Sequence, residues 1–154
     1  MDASPSKNLI QSRKPISAVM NAARYFIVVR APVERVYEQW SRIEDLPKFI
    51  TRLSNVRRID DTHFHYTWHS NGNYLQGAFD IVLQIPGRRI AWRTVSSGFM
   101  SGVVSFEPRS QHETEVTLKI RSFFDPPSLS ERVEEYLHNF KCLVEDQKNS
   151  ATNQ

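Results

Sequence analysis

Cysteine is almost absent from this chain of 154 residues, and long apolar runs are missing as well. The single cysteine, Cys142, excludes an internal disulfide and a zinc site made of several thiolates, and it is compatible with a reducing compartment. No run approaches the roughly 20 apolar residues that a membrane-spanning helix needs. We therefore expect a cytoplasmic protein without a transmembrane segment.

A strong excess of one charge is also lacking. The chain has 20 basic and 17 acidic side chains, which give a net charge of +3. This excess is weak for a dedicated nucleic-acid binder, and the basic residues are not gathered into one stripe, so we expect no nucleic-acid partner. A composition of 40% hydrophobic and 24% charged residues fits a single globular domain and leaves the oligomeric state open.

Acidic residues are scarce at the N-terminus, where Asp2 is the only one before Tyr25. This composition is similar to that of an organelle transit peptide, but a disordered leader is the favoured interpretation. The predicted organisation is a flexible leader over 1–22, one folded domain over 23–148 and a polar tail over 149–154.

The pattern after the leader predicts strands and helices in a definite order. Residues 25–30 are β-branched and aromatic, and Pro32 suits the first position of a helix. Apolar residues then recur at helical spacing with a break near Glu44 to Pro47, which predicts two short helices. Turn residues separate six further predicted strands, over 54–59, 64–69, 74–85, 88–95, 101–106 and 113–122.

The last predicted element is a long amphipathic helix. Pro126 and Pro127 end the preceding strand, and Ser128 with Glu131 has the spacing of a capping box. The helix has one apolar stripe, formed by Leu129, Val133, Tyr136, Leu137, Phe140, Leu143 and Val144. About five turns, fraying from Gln147 onward, should lie across the face of a curved antiparallel sheet, which gives an α+β fold.

Two predicted turns set the register of the sheet and therefore the residues that face inward. Asn71-Gly72 is typical of a two-residue hairpin, and Pro86-Gly87 is interpreted in the same way. The resulting pairs are Trp68 with Leu75, Tyr66 with Gly77, Phe64 with Phe79, Leu83 with Ile90, Ile81 with Trp92, and Phe79 with Thr94. Val104 and Phe106 extend this inner face on the next strand.

The opposite face is expected to be solvated. It pairs Asp80 with Arg93 and Gln84 with Arg89 as cross-strand partners. Three histidines share this face, and the spacing of the first two would suit a metal site: His63, His65 and His69. Because no third ligand is evident, we expect no metal.

Several segments together resemble the polyketide cyclase/dehydrase branch of the START-like (SRPBCC, helix-grip) superfamily. They are residues 27–37, Trp40, 43–49, 86–93 and 102–108, and the similarity extends over about 25–146. The resemblance implies a helix-grip fold, in which a seven-stranded antiparallel sheet wraps around the long C-terminal helix. Two short helices after the first strand close one end, and a hydrophobic cavity lies between sheet and helix.

The resemblance also implies a range of functions. Members of the superfamily bind lipids, sterols, quinones or aromatic polyketides, and a minority catalyse cyclisation or dehydration in the cavity. One related branch chaperones coenzyme Q and carries an Asp-Gly-Pro-Phe-like turn. This chain has Ser97, Gly98, Phe99 and Met100 at that place, which argues against the quinone role.

The inner face offers little for catalysis. Its polar groups are Tyr66, Thr94 and Thr114, and no nucleophile with a neighbouring base is evident. Tyr66 could donate a hydrogen bond to a carbonyl or enolate, although a buried tyrosine more often donates to the backbone. Cys142 has no placed histidine partner and is interpreted as an inert helix residue. The sequence therefore identifies no catalytic residue, and no cofactor is expected.

The same inner face favours binding of a flat apolar ligand. The predicted cavity lining is Trp40, Phe49, Phe64, Tyr66, Trp68, Gly77, Phe79, Ile81, Trp92, Thr94, Val104, Phe106, Leu137 and Phe140. Any one of these aromatic residues could instead simply fill the core. Gly77 and Gly102, however, should leave space on the inner face.

The sequence therefore predicts binding or carriage of a small hydrophobic ligand that is aromatic, polyketide-like or a lipid. A first alternative is a cyclase or dehydratase acting in the same cavity. A second is a quinone chaperone or a non-catalytic interaction module, the latter using the basic pairs Arg57-Arg58 and Arg88-Arg89.

Overall fold

The computed structural model of the chain describes residues 21–70, 72–95, 100–122 and 129–152. Seven strands and two α-helices, with one 3₁₀ helix, make up this part. Their bounds are β1 (Asn21–Val29), α1 (Val33–Ser41), the 3₁₀ helix (Ile43–Lys48), β2 (Leu53–Arg58), β3 (His63–Ser70), β4 (Asn73–Ile85), β5 (Arg89–Thr94), β6 (Met100–Pro108), β7 (Thr114–Ser122) and α2 (Leu129–Thr152).

The strands form one antiparallel sheet in the order β1-β7-β6-β5-β4-β3-β2. Hairpins join consecutive strands from β2 to β7, and β1 closes the order by pairing with β7. The two short helices follow β1, and the long helix α2 packs on the sheet. This is the predicted α+β helix-grip fold. Within the described ranges, none of the helices is long and apolar enough to cross a membrane.

The predicted register of the β3–β4 hairpin is confirmed. Ser70 pairs with Asn73, so two residues form the connection, and Tyr66 lies opposite Gly77. Gly72 adopts φ +80°, as such a turn requires.

The predicted register at the start of the β4–β5 hairpin is wrong. Ile85 pairs with Arg89 across a three-residue turn in which Gly87 has φ +74°. A register shift between Ile81 and Leu83 then restores the expected pairing of Ile81 with Trp92. Because one extra residue in a strand exchanges the two faces, this bulge turns Leu83 outward, opposite Ala91, and Gln84 inward. The Gln84 side chain accordingly donates to the Tyr37 hydroxyl of α1 at 2.9 Å.

Two elements are longer than expected. β1 begins at Asn21, four residues before the predicted strand, and α2 continues to Thr152, beyond the predicted end near Gln147. Residues 147–152 have no intrinsic barrier to a helical backbone, since none is Gly or Pro, and this explains the extension. Most of the predicted leader (1–20), the segment 97–99 and the proposed cap at Ser128 lie outside the described residues.

Helix α2 is fastened to the end of β1 and to the segment after the 3₁₀ helix. Lys141 donates to the Val28 carbonyl of β1 at 2.7 Å and pairs with Glu145, which also accepts from the Arg30 backbone at 2.8 Å. Asn139 donates to the Phe49 carbonyl after the 3₁₀ helix. Among the strands, the α2 backbone comes closest to β1 and next closest to β7.

Candidate functional site

The predicted lining residues divide into two groups with different burial. The first group is a closed aromatic cluster of Trp40, Phe49, Phe106 and Phe140, drawn from α1, the 3₁₀ helix end, β6 and α2. Trp40 lies 4.8 Å from both Phe49 and Phe140 between ring centroids, and Phe49 lies 4.9 Å from Phe140. Phe106 joins this trio through Trp40, at 6.3 Å between ring centroids. Such a cluster of buried rings is typical of a filled core. Val104 and Leu137 are also buried there.

The second group lies on β3, β4 and β5, away from β1 and β7, which the α2 backbone approaches most closely. Phe64 and Phe79 are buried at its base, with their rings stacked at 5.3 Å. Above them lies a half-buried group, which consists of Tyr66, Trp68, Ile81, Trp92 and Thr94. Towards the hairpin tip, exposure increases, and Leu75 opposite Trp68 is 61% exposed. The inner face is therefore closed at one end and partly open at the other.

The expectation that Gly77 and Gly102 leave space is wrong. A Cβ atom on Gly77 would lie 2.6 Å from the Tyr66 hydroxyl oxygen, and one on Gly102 would also collide with the Trp92 indole. Each glycine is paired with the aromatic residue that covers it. The glycines therefore allow two aromatic rings to lie flat on the sheet, and those rings occupy the space that a side chain would fill.

The threonines proposed as polar groups have structural partners. Thr94 Oγ1 accepts from the Met100 backbone N–H at 3.0 Å and lies 3.2 Å from the Met100 carbonyl, so it joins the two ends of the β5–β6 connection. Thr114 Oγ1 donates to the Ala31 carbonyl at 2.8 Å. Cys142 is exposed on α2, away from the inner face.

Two tyrosine hydroxyls differ from these groups. Tyr136 is only 4% exposed, on the buried stripe of α2, and its hydroxyl has no hydrogen-bond partner within the described residues. Burial raises the pKa of Tyr136 to about 12. Burial also raises the pKa of Tyr66. Both phenols therefore stay protonated near neutral pH and can donate a hydrogen bond.

Tyr136 was predicted only as part of the apolar stripe of the helix. Its spacing gave no indication that the hydroxyl would be buried without a partner, because that depends on which groups the opposite elements present. A large polar side chain at a position of strict apolar periodicity is the one sequence feature that singles it out.

A recess of about 520 Å³ lies beside β2, β3 and β4. Most of its lining side chains have outward register, among them Arg57, His65, Thr67 and Gln76. It adjoins Asn55, where β2 carries a bulge with φ +51°. The recess also reaches Tyr66 and Gly77, two residues of the predicted cavity lining, so it adjoins the inner face at β3 and β4.

The three histidines lie on the outer register, as expected, and two of them have separate polar partners. His63 Nδ1 lies 2.7 Å from Asp60 Oδ1, and its Nε2 lies 3.1 Å from Asp80 Oδ1. His69 Nε2 lies 2.7 Å from Ser54 Oγ. In the part of the chain that the structure describes, no group of three or more His, Cys, Asp or Glu residues is arranged to hold a metal ion.

Comparisons with known proteins agree with this architecture. Residues 29–135 match the model of the family described as polyketide cyclase / dehydrase and lipid transport. An uncharacterized 17.2 kDa protein of Streptomyces lincolnensis is 32% identical over 115 residues, which cover 74% of this chain and 75% of that protein.

Solved structures show the same fold. A protein of Deinococcus radiodurans is 25% identical, with a TM-score of 0.68 over 79% of this chain and 95% of its own. The Zhui aromatase/cyclase of Streptomyces sp. R1128 is 15% identical, with a TM-score of 0.66 over 86% of this chain and 98% of its own. The family match confirms the resemblance to the polyketide cyclase/dehydrase branch of the START-like superfamily, and the chain belongs to the polyketide cyclase/dehydrase and lipid transport family.

Proposed function

We propose that the chain binds a small, flat, mostly apolar ligand between the half-buried group of the sheet and helix α2. The observation that carries the proposal is the contrast between the two ends of the inner face. Aromatic side chains at the closed end bury one another, whereas Tyr66, Trp68 and Trp92 stay half-buried on β3 and β5, away from the strands that the α2 backbone approaches most closely. An apolar ligand would cover surface there that the chain itself leaves accessible.

The two tyrosine hydroxyls suggest that the ligand also carries an acceptor oxygen. A buried hydroxyl without a partner costs about 1 to 3 kcal/mol, which a bound carbonyl or hydroxyl could recover. Tyr136 is such a group on the helix, and Tyr66 offers a second phenol on β3. A lipid, sterol or polyketide-like aromatic compound combines apolar area with a few such oxygens. This is consistent with the family description.

The first test is to identify what copurifies with the protein. Mass spectrometry of a gently purified and then denatured sample should detect an apolar compound in a stoichiometric amount. The second test is binding of an apolar fluorescent probe to variants. Trp68→Ala should weaken probe binding roughly tenfold or more, since it removes a large aromatic surface from the proposed site.

Phe26→Ala is the matched control. Phe26 is also a large aromatic residue and is 49% exposed, but it lies on the outer face of β1. Its removal should leave probe binding unchanged. Equal losses for both variants, with both proteins folded, would contradict a site on the inner face.

A cyclase or dehydratase in the same site is the second candidate, and it rests on Tyr66. Because burial keeps this phenol protonated, it could donate to a developing enolate but could not act as a general base near neutral pH. Tyr66→Phe should then abolish turnover of an aromatic polyketide-like substrate while the probe still binds. A variant that retains full turnover would exclude this role of Tyr66.

A further inference from the structure

The outer face of the sheet gathers basic side chains that are scattered along the sequence. Pairing places Arg24 of β1 beside Lys119 of β7, and Arg121 of β7 follows two residues later on the same face. Arg89 and Arg93 of β5 have the same outward register. The expectation that the basic residues form no stripe is therefore wrong for this face.

An apolar strip crosses the same face between these cations. Val103, Ala91 and Leu83 lie side by side on β6, β5 and β4, and Ile85 extends the strip on β4. Leu83 and Ile85 are 40% and 37% exposed. Leu83 reaches this face only because the β4 bulge reverses the register. We call the strip and its five cations the outer basic face.

The five cations of this face lack carboxylate partners within the described residues. Each is exposed, and the ion pairs of that part of the chain involve other arginines and lysines. Asp80 lies opposite Arg93 on this face, and its Oδ1 contacts His63 Nε2 at 3.1 Å. Glu115, at the margin, pairs with Arg109. Glu107 lies next to Glu115 at the same margin. The centre of the face is thus positive and open to a partner.

We propose that the outer basic face docks on a membrane surface rich in anionic phospholipid. Cations would contact the phosphate and carboxylate groups of the lipids, while Leu83 and Ile85 enter the headgroup region. Five adjacent strands span roughly 19 Å, which allows the five cations to reach several lipid headgroups at once. An acidic protein would need a shape complementary to this face, whereas a lipid surface needs only the combination of cations and apolar side chains that is present.

The test is sedimentation of the full chain with vesicles, without added apolar ligand. Phosphatidylcholine vesicles that contain about one third phosphatidylserine should bind the protein, and pure phosphatidylcholine vesicles should not. The triple variant Lys119→Gln, Arg121→Gln, Arg93→Gln should bind the anionic vesicles about a hundredfold more weakly. Leu83→Ser with Ile85→Ser should weaken binding by roughly tenfold while leaving its salt dependence unchanged.

The matched control removes the same charge elsewhere, by Arg42→Gln, Lys48→Gln and Arg132→Gln. If this control loses as much binding as the face variant, net charge alone is responsible and the proposal fails. Failure to bind anionic vesicles overturns it as well. The affinity for an acidic polypeptide is measured in the same way. If it equals the affinity for anionic vesicles, and if Leu83→Ser with Ile85→Ser does not lower it, the face is assigned to an acidic protein instead. Because no apolar ligand is added, each of these results leaves the proposed binding function of the inner face to its own test.

Discussion

The two ends of the inner face use the same kinds of residue and differ in what covers them. At the closed end, α1, the 3₁₀ helix and α2 converge, and Trp40, Phe49 and Phe140 become fully buried against one another. At the open end, Tyr66, Trp68 and Trp92 lie half-buried on β3 and β5, away from β1 and β7, which the α2 backbone approaches most closely. Aromatic content therefore does not separate core from binding surface, and the position of the helix does.

The fastening of α2 explains why the two ends differ. Its hydrogen bonds run to Val28 of β1, to the Arg30 backbone and to Phe49 after the 3₁₀ helix. Within the described residues, no side-chain hydrogen bond ties α2 to β3, β4 or β5. The open end is thus a consequence of where the polar anchors of α2 lie.

The largest expected effect is at the closed end. Trp40→Ala should lower the free energy of unfolding by about 3 to 5 kcal/mol, because it removes a buried indole from a filled cluster. Trp68→Ala at the open end should cost much less. Urea denaturation of both variants measures the difference, and similar costs would contradict the division into two ends.

The next effect concerns the glycines beneath aromatic rings. Gly102→Ala should destabilise the fold by about 1 to 3 kcal/mol, because its new Cβ atom collides with the Trp92 ring. The control is the same substitution in a Trp92→Ala background, where the collision is gone and the cost should largely disappear. If Gly102→Ala lowers the free energy of unfolding equally in both backgrounds, the glycine is required for its backbone conformation and not to make room for the Trp92 ring.

Much of the fold could be predicted from local sequence. Asn71-Gly72 with alternating apolar residues predicted the β3–β4 register, and the apolar stripe predicted the position of α2. The β4–β5 register could not be predicted in full, since a proline–glycine turn is compatible with two or three residues. The bulge before Leu83 compensates for the longer turn, which explains why the pairing of Ile81 with Trp92 was nevertheless right.

The candidate site was less predictable than the fold. Register places Tyr66 opposite Gly77, but the side-chain rotamer decides whether that position is open or covered. A glycine directly opposite an aromatic residue occurs twice here, and this pattern could have indicated covering rings. The burial of Tyr136 depends on tertiary packing, which a single helix pattern does not contain.

A smaller effect is expected from pH at the strand start beside Phe64. The hydrogen bond to Asp60 raises the pKa of His63 above 6.5, so this contact stabilises the fold fully below that value and less as the pH rises through the raised pKa. The Thr62 backbone N–H, followed by the His63 ring, lowers the pKa of Asp60 from 3.8 to about 2, so its contribution is lost only as the pH falls towards 2. The Asp60–His63 pair should therefore stabilise the fold most between the pH range in which Asp60 becomes protonated and the range in which His63 loses its proton.

The check compares thermal midpoints of the wild type and of His63→Gln at about pH 5 and about pH 8.5. At the lower pH, the thermal midpoint of the wild type should exceed that of His63→Gln. At the higher pH, this difference in thermal midpoint should be smaller. His65→Gln is the matched control, because His65 is on the same strand and face without a carboxylate partner in the described ranges. A difference in thermal midpoint that increases with pH would contradict the stabilising contact between His63 and Asp60.

The smallest expected effect on stability is also the most informative about the ligand. Tyr136→Phe removes a buried hydroxyl that has no partner in the described part of the chain, so the free energy of unfolding should stay within about 1 kcal/mol of the wild type or increase. Tyr37→Phe is the control, since the Tyr37 hydroxyl accepts from Gln84 and its loss removes a real hydrogen bond without touching the site. If a ligand oxygen accepts a hydrogen bond from Tyr136, Tyr136→Phe should lower the affinity for a carbonyl-bearing aromatic compound roughly tenfold, and Tyr37→Phe should not. A hydrocarbon of the same shape should bind the two variants with equal affinity. A clear loss of stability in Tyr136→Phe would mean that the hydroxyl has a partner within the fold, and the ligand would then have to be oriented by Tyr66 alone.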